Sequence, residues 1–127
     1  MTGCDMITNL TRLPREQEYD AFRIKRVFVG EKPRVLAFIR KNFSEGWVNE
    51  AECALLQHKC FVAVNDGSIL GFACYDATAK GYFGPIGVLE ETRGKGVGTA
   101  LLLRTLTCMR EEGYGYAIIG WVDDAEV

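Results

Sequence analysis

Val88-Leu-Glu-Glu-Thr-Arg93-Gly94-Lys95-Gly96-Val97-Gly98-Thr99-Ala100 is the stretch on which the reading of this chain turns. Before it, Tyr82-Phe-Gly-Pro-Ile-Gly-Val88 is extended and β-prone, with a proline and two glycines that a strand tolerates only at its start, an edge or a bulge. After it, Val97 to Glu112 carries Val97, Ala100, Leu101, Leu102, Leu106 and Met109 at helical spacing and stops before Gly113, which makes it the strongest predicted helix of the chain. Three alternate glycines at that helix's N-terminus expose successive backbone N–H groups with no side chain to hold an anion away. The helix dipole favours a negative charge there by about 0.3–1 kcal/mol. Arg93 and Lys95 can add charge-assisted hydrogen bonds, so the segment reads as an anion cradle suited to a pyrophosphate.

The flanking elements set the class. Phe22–Val29 alternates apolar and basic residues and predicts a half-buried strand. After Pro33, the steps between Val35, Leu36, Phe38, Ile39 and Phe43 predict an amphipathic helix over 33–42, and Val48, Ala51, Leu55 and Leu56 predict a second over 48–57. Cys60–Val64 and Ile69–Tyr75 are β-prone runs joined through Asn65-Asp66-Gly67-Ser68, the signature of a hairpin. Ala117–Val122 predicts a closing strand. The resulting order, β-αα-βββ-α-β, is an α/β (α+β) fold with a central mixed sheet. Met1–Asp20 lacks sustained periodicity and predicts a loosely ordered lead-in. Two other phosphate loops are excluded. Lys95 is not followed by the Ser or Thr of a nucleoside-triphosphate loop, and the hairpin-rich order before Gly94 is foreign to a dinucleotide-binding βαβ unit.

Composition narrows the partners. In 127 residues there are 15 Lys and Arg against 17 Asp and Glu, a formal net charge of −2, which argues against a nucleic-acid backbone or an anionic membrane as ligand. No apolar run approaches the ~18 residues of a membrane span, and no signal-peptide stretch opens the chain. The five cysteines are odd in number and lack metal-site or disulfide-framework spacing, so no metal is expected; Cys60 and Cys74 lie in apolar runs, and a reducing cytoplasm fits them.

Arg93-Gly-Lys-Gly-Val-Gly98 resembles the R/Q-x-x-G-x-G/A signature of the GNAT superfamily of acyl-CoA N-acyltransferases, and the element order resembles that family over roughly Phe22 to Val122. The resemblance implies a GNAT-like acetyltransferase domain over 1–127 whose co-substrate is acetyl-CoA. Its pyrophosphate would be held by Arg93, Gly94, Lys95, Gly96, Val97, Gly98 and Thr99, and its pantetheine arm paired with Ile86, Gly87 and Val88 like an added strand. The N–H near Val88 would polarise the thioester carbonyl while an unidentified primary amine attacks.

The acid and base are less legible. Family members often carry a Glu on the fourth strand, but Tyr82–Val88 has no carboxylate, leaving Glu45, Asp76 and Tyr82 as candidates, with Trp47, Tyr75, Tyr82 and Phe83 as walls for an acceptor. Family members also continue past the fifth strand into a helix and strands that often supply a tyrosine acid, whereas the sequence here ends at Asp123-Asp-Ala-Glu-Val127. Asp123-Asp124-Ala125-Glu126 resembles the start of that helix. Two expectations follow: turnover by this stretch alone is slow, and Ala117–Val122 is an uncovered edge able to form a homodimer. The rival reading is an acyl-CoA-binding module without turnover, or one that needs a partner chain.

Overall fold

The computed structural model describes residues 4–122, with side chains over 6–119. Asp123 to Glu126 and the side chain of Trp121 lie outside the described residues. Six strands form one mixed sheet: β1 (Cys4–Asn9), β2 (Arg23–Arg26), β3 (Cys60–Asn65), β4 (Ser68–Tyr75), β5 (Tyr82–Val88) and β6 (Tyr116–Val122). They lie in the order β1-β6-β5-β4-β3-β2, and every neighbouring pair is antiparallel except β5 and β6. Helices α1 (Lys32–Asn42) and α2 (Glu45–Leu56) cover one face and α3 (Val97–Glu111) the other. This is the mixed α/β order read from the sequence, with one strand added at its head.

Local chemistry explains the boundaries. Ser44 accepts a hydrogen bond from the Trp47 N–H at 3.2 Å and so starts α2 at Glu45, three residues before the first apolar position that marked it in the sequence. Asp66 and Gly67 sit at φ +48° and +79°, the type I′ geometry whose twist matches that of β3 and β4. The far end of α3 closes with Gly113 at φ +103°, its N–H on the Arg110 carbonyl and the Tyr114 N–H on that of Met109, a Schellman cap. Residues of β3 alternate between the two helical layers, Phe61 and Ala63 toward α3 and Val62 and Val64 toward α1 and α2, and both sets are buried.

The lead-in is the main correction. Cys4–Asn9 is not loose: it pairs with β6, Ile7 opposite Ile118 and Thr8 opposite Ala117. Leu10 then buries completely in the α3-side core, its N–H on the Gly115 carbonyl at 2.9 Å. β6 is therefore flanked on both sides, and the open edge that would have supported a homodimer through it is filled by β1. The expected strand over 22–29 is also shorter, because past Val27 the chain turns through Val29–Glu31 and leaves Phe28 and Val29 exposed.

Candidate functional site

The site begins where two parallel neighbours part. β5 and β6 pair only at Tyr82–Ile118 and Phe83–Ile119. Gly84 then takes φ +114°, and Gly84 and Pro85 together stand opposite the single residue Cys74, a bulge that bends β5. Beyond it β5 stays with β4 as far as Val88, while β6 stays with β1, so a wedge opens between them. The Leu89 N–H donates to the Leu70 carbonyl at 2.9 Å. Strand alternation from that bond turns Gly87 toward β4 and the N–H groups of Ile86 and Val88 into the wedge.

Side chains leave this edge bare. Gly87 faces the α1–α2 layer, where a Cβ would stand 2.7 Å from Phe43 Cζ and 2.9 Å from Phe72 Cε1, so only glycine fits. Val88 faces α3, its Cγ2 3.6 Å from the position a Cβ would take at Gly98.

The mouth of the wedge meets the N-terminus of α3. Gly94 and Gly96 have φ +83° and +87°, conformations that suit glycine. Gly96 is the N-cap and provides no side-chain cap; its carbonyl accepts the first helical bond, from Ala100 at 2.9 Å. The N–H groups of Val97, Gly98 and Thr99 thus have no carbonyl a turn earlier. Arg93 and Lys95 are exposed and make no ion pair among the described residues. One expectation changes: the Arg93 N–H is already bonded to the Glu90 carbonyl at 3.2 Å, so any backbone cradle begins after it. Gly98 has an ordinary φ and room for a side chain, so packing within the chain does not explain it.

A neighbour of the cradle escaped the sequence reading. The Tyr19 ring lies on Gly96, 3.0 Å from where its Cβ would be, and stacks on Phe22 with centroids 4.6 Å apart. Residues 16–24 run beside α3 and enclose a cavity of about 290 Å³ against Ala100, Leu103 and Arg104, on the side of α3 away from the wedge. Only the Gly-rich loop placed next to it would have hinted at Tyr19.

The expected acids and bases separate. Glu45, first residue of α2, stands two residues from Phe43 and therefore at the Gly87 end of β5; it is exposed and paired with Arg40 at 2.9 Å. Asp76 and Tyr82 are at the other end, roughly 20 Å away along a strand of six steps. Asp76 is buried and saturated: Lys59 Nζ lies 2.7 Å from Oδ2, the Tyr114 hydroxyl 2.5 Å from Oδ2, and the Gly81 N–H 2.7 Å from Oδ1. Burial alone would raise its pKa, but Lys59, Tyr114 and Gly81 outweigh that and hold it below the ordinary carboxylate value. Such a group is a poor base. Tyr75 is wholly buried, its hydroxyl on Glu112 and its pKa pushed up by burial and by Cys108 and Glu112, so it is no acceptor wall. Phe83 is likewise core; of the four expected wall residues only Trp47 lies near Gly87, through Phe43 at 5.3 Å between ring centroids. Among the described residues no group of three or more His, Cys, Asp or Glu is placed to hold a metal ion, and no helix is long and apolar enough to cross a membrane.

Known proteins share this fold. The chain matches the family model described as acetyltransferase (GNAT) family over residues 16–126. A GCN5-related N-acetyltransferase from Sphaerobacter thermophilus superposes with a TM-score of 0.80 at 20% identity, over 97% of this chain and 43% of that one. An aminoglycoside acetyltransferase from an uncultured soil metagenomic sample, solved with sisomicin, gives 0.62 at 20% identity over 84% and 81%. A GNAT family acetyltransferase from Brucella melitensis, solved with acetyl-CoA, gives 0.57 at 19% over 75% and 72%. At these identities the likeness is one of fold. No curated protein sequence matches the chain.

Proposed function

Because the chain belongs to the acetyltransferase (GNAT) family, we propose that it transfers an acetyl group from acetyl-CoA to a primary amine by direct transfer. The observation that carries this is the parting of β5 from β6 beside a glycine-opened helix N-terminus. The residues fit the co-substrate in two ways. Unbonded N–H groups at Val97, Gly98 and Thr99, with Lys95 and Arg93 beside them, suit a pyrophosphate. The wedge-facing backbone of Ile86 and Val88 suits the amides of a pantetheine arm, which would complete the strand edge.

Bound acetyl-CoA supplies the activated thioester. One of the wedge-facing N–H groups of this edge, at Ile86 or Val88, donates to the thioester oxygen as negative charge grows on it, a contribution of about 2.7–4 kcal/mol for a donor of this kind. On the α1–α2 face the place of a Gly87 side chain is taken by the Phe43 ring. As the amine nitrogen bonds to the carbonyl carbon the C–S bond breaks, the amine loses a proton and CoA leaves as a thiolate that takes one up; of the expected acids, Glu45 is the one nearer Gly87 and is the candidate base, reached once its ion pair with Arg40 opens. A reducing compartment such as the cytoplasm belongs to the same proposal, resting on the odd number and the spacing of the cysteines.

A second reading, an acyl-CoA-binding module without turnover, draws on the commitment of Asp76 and Tyr75 to structural bonds. One experiment separates the two: calorimetric titration with acetyl-CoA, followed by a thiol-release assay with a panel of small amines, aminoglycosides and peptides. Binding with release supports the transferase; binding without release by any acceptor supports the module; no binding contradicts both.

A further inference from the structure

We infer that Phe43, in the two-residue link between α1 and α2, limits the length of the acyl group this site accepts, restricting it to acetyl or another short chain. The inference rests on the acyl-CoA reading above. If a wedge-facing N–H of Ile86 or Val88 receives the thioester oxygen, the acyl chain starts one bond from that carbonyl; along the wedge it runs into the pairing of β5 with β6 at Phe83–Ile119, and otherwise it turns toward one helical layer or the other. Toward α3 the way is closed by Val88 itself, whose Cγ2 faces the first turn at Gly98. Toward α1 and α2 the missing side chain of Gly87 would leave a hollow, but the Phe43 ring fills it. A Cβ on Gly87 would stand 2.7 and 2.9 Å from Phe43 Cζ and Cε1.

That ring is firmly seated. Its centroid lies 5.6 Å from Phe72, which is wholly buried, 5.3 Å from Trp47 and 5.9 Å from Phe38. Such offset and edge contacts fix it from three sides. Phe43 is only partly buried and sits between two helices, so shortening it opens space beside Gly87 at the cost of its ring contact with Phe72 on β4.

The test is equilibrium binding of CoA, acetyl-CoA, butyryl-CoA and hexanoyl-CoA to the whole chain and to Phe43→Leu and Phe43→Ala, each checked for a cooperative melt. A pocket wall discriminates against a surplus methylene by about 10–200-fold. The wild type should therefore bind butyryl-CoA at least about tenfold more weakly than acetyl-CoA, and hexanoyl-CoA more weakly still. Phe43→Leu should shrink that gap severalfold and leave CoA unchanged; Phe43→Ala, if folded, should shrink it further. A wild type that takes butyryl-CoA as well as acetyl-CoA, or a Phe43→Leu that weakens all four ligands alike, overturns the inference while leaving acyl-CoA binding intact. Failure of CoA itself to bind the wild type refutes the underlying reading instead.

Discussion

The two ends of β5 differ in what they offer. At Tyr82 the strand is locked: β6 pairs with it on one side, and Asp76, Lys59, Tyr114 and Gly81 saturate one another beside it. The same corner holds Arg26, with one guanidinium nitrogen on the His58 carbonyl at 2.5 Å and another on Cys108 Sγ at 2.9 Å, and Tyr75 bonded to Glu112. At Val88, by contrast, side chains withdraw and backbone donors face an open wedge. Asp76 and Tyr75, which look like catalysts, hold the closed end together, and the open end presents glycines and backbone N–H groups. Removing a side chain at one end should therefore cost stability, and adding one at the other should cost binding.

The largest effect is expected from adding a side chain at the open end. Gly98→Glu places a carboxylate at the helix N-terminus, beside Val88, with ordinary φ and an ordinary 3.6 Å Cβ contact. Its melting temperature should hold or rise slightly, since an acid in the first turn suits the dipole. The ligand-induced stabilisation of about 2.7 kcal/mol expected at 100 times the dissociation constant should vanish. Gly96→Glu is the blunter variant, because it also strains a φ of +87° and displaces Tyr19; loss of ligand there would confound binding with folding. Thermal melts with and without acetyl-CoA read both.

At the closed end, Leu10→Ala empties a fully buried position and should cost about 2–5 kcal/mol in urea unfolding while acetyl-CoA affinity stays within about twofold. Asp76→Asn should cost about 1–3 kcal/mol at neutral pH, less than a dry ion pair because the Lys59 side chain is 23% exposed. The sign of its pH dependence follows from the lowered pKa of Asp76. A carboxyl whose folded pKa lies below its unfolded one stabilises above the ordinary carboxylate range and loses that contribution as pH falls through the folded value. The gap between wild type and Asp76→Asn should accordingly be widest at neutral pH and close in strong acid; a gap that persists in acid would mean that Asp76 acts by shape alone. Tyr114→Phe removes one donor to Asp76 and should cost about 0.5–1.5 kcal/mol. An acetyl-CoA dissociation constant altered severalfold by any of these three would break the contrast between the ends.

What the sequence disclosed was local. Gly94, Gly96 and Gly98 announce a bare helix start, Asp66-Gly67 announces a hairpin, and Gly113 ends α3, because each residue type is tied to a backbone conformation of its own segment. What it hid depends on distant partners. Cys4–Asn9 is a strand only because β6, more than a hundred residues on, is there to pair with it, and Leu10 is core only once Gly115 receives its N–H. Asp76 resembled a free acid because Lys59 and Tyr114, which neutralise and bond it, are 17 and 38 positions away. Gly87 read as a strand glycine tolerated at an edge or bulge; what excludes any larger residue there, the Phe43 ring, belongs to a distant stretch of sequence.

In the function proposed, the wedge between β5 and β6 and the start of α3 together receive acyl-CoA through backbone N–H groups. Amide hydrogen exchange with and without acetyl-CoA reads those donors themselves. Protection should appear at Ile86, Val88 and Val97–Thr99, with little change at Asp76, Tyr114 or the Tyr19–Arg104 cavity. Binding that protects the segment around Tyr19 and Arg104 and leaves Val88 and Gly98 exchanging as before would contradict it.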